Sequence, residues 1–510
     1  MPRALSISLP APVGGWNARD ALSDMDKLDA VSMVNWWPRT TDVMFRKGKT
    51  SFSTGMTNEV ETVMVYNGAT TSKMFGVAGT TIFDCSSSGP AASIGGAPAT
   101  VSNARWQYVN MQTNAPAFYL LAVNGTDKLR GYTGAAWYVD GDGSHDITGL
   151  DTSTAIHINV HKFRVWFTQK NTLDAWYLAT GAIAGAATKF SLEGIARSGG
   201  YLVGMGTWTI DAGYGVDDHA VFITSLGEVI VYSGTDPSST ATWSLVGVFQ
   251  IGSPVGRRCF TKFAGDLLII TQDGLVPLSG ALQSSRTNPR VALSDKIQNA
   301  VSEAVDSYVA NFGWEIQPYP RMNMLVLNVP ALVPGGQEQY VMNTITKSWA
   351  RFTGWGVNSL ELYNDTLYGG GTGVIYKLWD DTNDDGANIS GDLQQAFSYL
   401  GKPGLLKRVT LMRPTLNTTG TVPLYAGLNI DFDLSVPTST LQGLSSGTGG
   451  SWDTATWDVD DWAGGDVVQA YWQDATGVGY AVSPHYTLAS KGVEVRLMST
   501  DISFEAGAIL

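Results

Sequence analysis

Along most of this chain apolar residues alternate with polar ones in short runs rich in Val, Ile, Thr, Tyr and Trp, cut by Gly, Asn and Asp. That period of two predicts strands, and the cuts predict tight turns. The runs pair into successive hairpins over 63–85, 117–139, 161–179, 219–234, 263–280, 322–354 and 359–380. Asn124-Gly125, Leu226-Gly227 and Asp273-Gly274 sit where three of them turn, supplying the positive φ that a short hairpin needs. Helical spacing is scarce. Leu22, Met25, Leu28 and Met33 predict a helix over 22–37, with Ser23 and Asp24 as caps. Ile297, Val301 and Val305 predict a second over 292–305, capped by Ser294. The stretch 390–400 suits a helix or a strand.

Hairpin units recurring about every 40–60 residues match the period of propeller blades. Such a unit cannot bury both faces alone, and stacking units around an axis solves this while leaving only short edges. The chain therefore predicts an all-β fold: a β-propeller-like core of about six or seven blades, with a C-terminal β-sandwich-like element and few short helices. Three regions are expected: an N-terminal clamp over 1–55, the propeller-like core over 56–385, and a C-terminal β region over 386–510 that completes the propeller or forms a small sandwich.

Composition narrows the function. The 510 residues carry a net charge of −13, against a simple binder of nucleic acid with a basic footprint. Only 15% are charged, below the roughly 25% of ordinary proteins. With 17 Trp, 20 Tyr and 17 Phe, this suits either an aromatic β core or a broad subunit interface. Cys85 and Cys259 lie in apolar, strand-like settings and read as buried free thiols rather than a disulfide framework. No apolar run has the length of a membrane span, and the Pro-broken N-terminus is a poor signal peptide.

Candidate chemistry is sparse. His157 and His161 alternate along a strand-like run, where four residues span about 13 Å, too far for one metal ion. Asp381, Asn383, Asp385, Gly386 and Asp392 have the oxygen spacing of a calcium loop, without its flanking helices, and Asp140, Asp142, Ser144 and Asp146 repeat oxygens at alternate positions. Both read first as polar turns. With no phosphate loop and no nucleophile elbow, the expectation is a non-enzyme without a cofactor.

The most unusual stretch is NWWPRTTDVMFRKGKTSF (35–52), an extended aromatic and basic strap. Trp36, Trp37, Arg39, Arg46 and Lys47 are its candidate interaction residues. A second candidate surface is the aromatic acidic stretch 451–465, with Trp452, Trp457 and Trp462.

The strap belongs to a longer order. GGWNARDALSDMDKLDAVSMVNWWPRTTDVMFRKGKTSF (14–52), with IYKLWDD, DDGANI, FSYLGKPGLLKRVTLMRP and the closing FEAGAIL, resembles the tail nozzle proteins of short-tailed bacteriophages, the tail tubular protein B and packaged-DNA stabilisation group. The resemblance implies a structural virion subunit, made in the bacterial host's cytoplasm, that assembles into a ring, commonly a hexamer, below the portal and adaptor. It would contact adaptor proteins and tail fibres or spikes, retain packaged double-stranded DNA and let it pass on ejection. Two other classes stay open on the residues alone: a glycan-binding or glycan-cleaving propeller, and a propeller scaffold for other proteins. On any of these readings residues 14–52 are expected to clamp the propeller beside its C-terminal part, because five large aromatics in that segment carry too much apolar area for water.

Overall fold

The computed structural model describes residues 4–211, 216–283, 291–331, 336–420, 422–439 and 467–507. The fold is mostly β and β-propeller-like. Antiparallel sheets follow one another along the chain, each expected hairpin falling within one of them. Three are discrete four-stranded units, running through Gln107–Gln112 to Trp137–Val139, Ala155–His161 to Thr188–Ser191, and Leu202–Asp211 to Trp243–Gln250. A three-stranded sheet covers Phe260–Phe263 to Gly274–Pro277. The others share strands with larger sheets, so the number of blades depends on how those sheets are divided.

Closure comes from one long strand. Lys49–Asn67 pairs through its first part with Thr372–Leu378 (Lys49 opposite Leu378, Thr54 opposite Val374). Its second part pairs with Ser72–Ala78 (Val60 opposite Ala78, Asn67 opposite Ser72). The same strand thus finishes the last sheet and begins the first. The leading strand of each sheet packs against the next, and the succession returns from Ser359–Tyr363 to Lys49–Asn67. A ring of sheets closed by its own chain ends exposes few edges.

The C-terminal strands form two further layers with N-terminal ones. Val495–Ala506 pairs with Lys407–Thr418 on one side, and on the other with Leu5–Pro10 and then Val43–Phe45. In the second layer Asp29–Val34 pairs with Ile389–Gln395, which continues through Val482–Ser490 to Leu424–Ile430. On its other edge Val34 pairs with Arg351, joining this layer to the sheet of Glu315–Tyr319 to Trp349–Phe352. The apolar side chains between them, among them Trp36, Met412, Leu416, Tyr486 and Leu497, belong to one continuous core with Trp314, Trp349 and Trp355.

The helical expectations need correction. Residues 22–37 form no helix: 22–28 is a turn region, followed by the strands Asp29–Val34 and Trp36–Pro38. Asp26, whose Oδ1 accepts from the amide of Leu28 at 2.8 Å, is a turn former. Backbone pairing on both edges of Asp29–Val34 outweighs the helical spacing of four apolar residues. The second helix exists but starts later. A 3-10 turn at Asp295–Ile297 leads into the α-helix Gln298–Tyr308, and Ile297, Val301 and Val305 are all buried. Ser294 does not cap it; its Oγ accepts from the amide of Leu275 at 3.0 Å. The ambiguous stretch begins as the strand Ile389–Gln395. Cys85 and Cys259 are both buried and unbridged, and burial raises their thiols to about 11 and about 12. No helix among the described residues is long and apolar enough to cross a membrane.

Candidate functional site

Two places gather buried or half-buried charged side chains from several strands. The first is the clamp. Trp36, Trp37 and Pro38 pair with Phe45, Met44 and Val43, turning the strap into a hairpin beside the C-terminal strand. Trp36 lies against Phe45, with ring centroids 5.5 Å apart, and Trp37 meets Phe352 and Trp379 edge-on, each at 6.1 Å. Both tryptophans are buried within this chain. Arg46 is only 1% exposed and is completely engaged. Its guanidinium holds Asp384 by two bonds of 2.9 and 2.6 Å, donates from Nε to Asn35 Oδ1 at 2.7 Å, and reaches the carbonyls of Lys47 and Thr353. Asn35, with φ of 60°, turns the chain there and ties in Thr353 and Ser390. Arg39 and Lys47 stay at the surface, paired with Asp42 (2.9 Å) and Glu494 (3.3 Å). Together with Trp37, Arg321, Lys377 and Arg496 they border a groove of about 600 Å³.

The calcium-like residues bond one another, the clamp and His485 rather than converging on one point. Asp385 accepts from the amide and hydroxyl of Ser51 at 3.0 and 2.7 Å. Asp381 accepts from Asn383 Nδ2 at 2.7 Å, while its carbonyl receives the amide of Gly48. A β carbon on Gly48 would lie 1.7 Å from the carbonyl oxygen of Asn383, so only glycine lets the strap run this close to the loop. Asp392 lies on the strand Ile389–Gln395 and accepts from His485 Nε2 at 2.9 Å. In the other loop Asp140, Asp142 and Asp146 accept from amides of the turn itself. Among the described residues no group of three or more His, Cys, Asp or Glu is placed to hold a metal ion. Trp452, Trp457 and Trp462 lie outside the described residues.

The second place is the propeller axis, whose residues share no local pattern along the chain. A shaft of about 290 Å³ is lined by the leading strands through Thr62, Tyr108, His157, Phe260, Glu315 and Glu361, with Arg257 and Arg258. Beside it lies a mouth of about 670 Å³ that shares both arginines and is bordered by Glu61, Arg105, Lys170, Tyr201 and Phe312. Gly256, with φ of +75°, delivers the two arginines to the axis. A β carbon there would meet Trp314 Cβ at 2.9 Å. Arg258 ties together four segments of the chain: it pairs with Glu315 at 3.3 Å and donates to Ser359 Oγ (3.0 Å), Thr62 Oγ1 (2.6 Å) and the carbonyls of Glu61 and Trp106 (3.1 Å each). Across the shaft Tyr108 donates to Glu361 at 2.5 Å.

Burial sets the electrostatics. It raises the Glu361 carboxyl to about 7, the hydrogen bond from Tyr108 opposing, and it raises Glu315 against the pull of Arg258. It raises the Tyr108 phenol well above its ordinary range, the Glu361 charge adding to the effect. Burial also lowers His157 and His161 to about 4, so both imidazoles are neutral at pH 7. His157 and His161 share the strand Ala155–His161, as their alternation predicts, and each makes its polar contact with the neighbouring strand Leu202–Asp211.

A scan against protein-family models and a search of curated proteins found no match to this chain. Among solved structures, the chain is similar to the extracellular domain of the putative one component system BT4673 from B. thetaiotaomicron, at 10% identity and a TM-score of 0.41. That match covers 74% of this chain and 54% of the other, so this chain spans about half of that protein's length. It is also similar to the β-propeller domain of Myceliophteria thermophila Cps50 (Swd1), at 14% identity and a TM-score of 0.39, covering 65% and 99% of the two chains. A third is Saccharomyces cerevisiae Sqt1, at 13% identity and a TM-score of 0.33, covering 68% and 96%. None of the three is a phage tail protein.

Proposed function

We propose that this chain is a structural subunit of the tail of a short-tailed bacteriophage. Several copies, on this reading six, form a ring-shaped nozzle that continues the DNA channel below the portal and adaptor, retains packaged DNA and releases it at ejection. The protein acts in the virion after assembly in the host cytoplasm, beside adaptor proteins and tail fibres or spikes. It performs no catalysis. The observation that supports this reading best is the segment that carries the family resemblance. Residues 14–52 are the part of the chain that locks the propeller to the C-terminal layers, so the resemblance falls on the piece that holds the subunit together.

The dimensions of the axis fit the same proposal. A shaft of about 290 Å³ crossed by Arg258, Glu315, Tyr108 and Glu361 holds on the order of ten waters, and a duplex whose major groove alone is about 12 Å wide does not enter it. A DNA conduit built from this subunit therefore lies between copies. A net charge of −13 suits such a wall, since it disfavours tight binding of phosphates that must slide past.

Electron microscopy of the purified chain and of the parent particle tests the proposal. A ring with a central channel at the tail's distal end is expected. A monomer that depolymerises a polysaccharide overturns it, and would turn attention to Glu315 and Glu361 as a cooperating pair.

A further inference from the structure

The arginines of the axis are not equivalent. Arg258 has Glu315, and Arg105 donates to Glu61 at 3.0 Å. Both also lie over the Phe312 ring, 5.1 and 4.8 Å from its centre. Arg257 makes one hydrogen bond, from Nη1 to the carbonyl of Asn124 at 3.2 Å, and has no carboxylate partner among the described residues. Burial lowers its pKa, yet a guanidinium stays charged at neutral pH. It borders the shaft and the mouth together, and Lys170 stands exposed on the rim. The carboxylates nearby are already committed: Glu61 to Arg105, Glu315 to Arg258, and Glu361 to Tyr108 and the amide of Leu362. A chain with 45 acidic residues thus leaves a partly buried cation without an acid at the mouth of its axial cavity.

We propose that the axial mouth is a binding site for a small oxyanion, a carboxylate or phosphate group, with Arg257 as its principal donor and Lys170 and Arg105 supporting it electrostatically. The fork of a guanidinium matches either group through paired N–H donors. The mouth, at about 670 Å³, has the size of a small-molecule site. Arg257 is held ready for this role, because Gly256 fixes the approach and Arg258 is pinned by bonds to four segments of the chain. The site belongs to a single chain and needs no ring, so it stands or falls separately from the nozzle.

Calorimetric titration of the full chain with sodium glucuronate, inorganic phosphate and neutral glucose at constant ionic strength tests it. Saturable binding of glucuronate, phosphate or both is expected, with glucose silent, and the stronger arm identifies the group recognised. Arg257→Gln should weaken that binding about tenfold or more, and Arg257→Lys by less, since charge is kept and the fork is lost. Lys170→Gln should weaken it only about two- to threefold, as a rim charge does. An unchanged melting temperature in Arg257→Gln shows that the loss is one of binding. No saturable binding of either anion, or binding that Arg257→Gln leaves intact, overturns the proposal.

Discussion

Arg46 in the clamp and Arg258 on the axis are both drawn into the protein, and each ties together segments far apart in sequence. They differ in what surrounds them. Arg46 sits at a buried seam, where Asp384 takes both ends of its fork and aromatic rings close over it, at 6.0 Å from Phe352 and 5.7 Å from Trp355. Arg258 sits beside a cavity, shares its bonds among four segments and has the uncompensated Arg257 as its neighbour. A buried ion pair adds little net stability over an apolar substitute, but losing one partner is costly. The seam therefore fixes which segments meet. The axis keeps charge where a solute can reach it.

The largest effect is expected at the clamp. Deleting residues 1–52 removes the strands beside Val495–Ala506 and the start of the strand that closes the last sheet. Insoluble or misassembled protein is expected on expression. Soluble, folded protein from that truncation would show that the propeller closes without its N-terminal clamp.

Arg46→Ala strikes the same seam with one change. It leaves the Asp384 carboxylate, 10% exposed, without its counter-ion, a loss of roughly 3–5 kcal/mol. Urea unfolding should show it as a lowered midpoint, and a loss below about 1 kcal/mol would mean that water replaces the guanidinium.

On the axis the corresponding change is Glu361→Gln, read against pH. The folded carboxyl titrates near 7, above the ordinary value of 4.5. Folding thus favours its protonated form, so its contribution is full below about pH 4.5 and is lost as pH rises through 7. The wild-type protein should lose on the order of 2 kcal/mol over that window relative to the glutamine variant. Parallel stability curves for the two proteins would place Glu361 in free contact with water.

The smallest effect is expected from chelation. The oxygens of Asp381, Asp385 and Asp392 already serve Asn383, Ser51 and His485. Excess EDTA should move the melting temperature by no more than about a degree or two, whereas a bound ion would stabilise by linkage and its removal would lower it further.

Much of the architecture was legible in the sequence. The hairpins follow from alternation and turn residues, because strand faces and tight turns are local properties. The helix Gln298–Tyr308 was visible through Ile297, Val301 and Val305, although its start was misplaced: the side chain of Ser294 goes to Leu275, a partner with no local signature. The helix expected over 22–37 failed for the same reason, since the edges that pair with Asp29–Val34 come from residues near 351 and 395. The strap was recognisable as too aromatic to leave in water. That Arg46 would meet Asp384 was not.

The sequence by itself determined that this protein is a succession of β-hairpins, poor in charge and rich in aromatics, with a basic strap over 35–52 and an aromatic acidic stretch over 451–465. Each of those features depends on neighbouring residues and on composition. Only the tertiary structure decided what the polar residues do. Arg46 meets Asp384 across 338 positions, and Tyr108 meets Glu361 across 253. Such encounters leave no local pattern, because they exist only once a single strand, Lys49–Asn67, has joined the last sheet to the first and fixed an axis for the side chains to face.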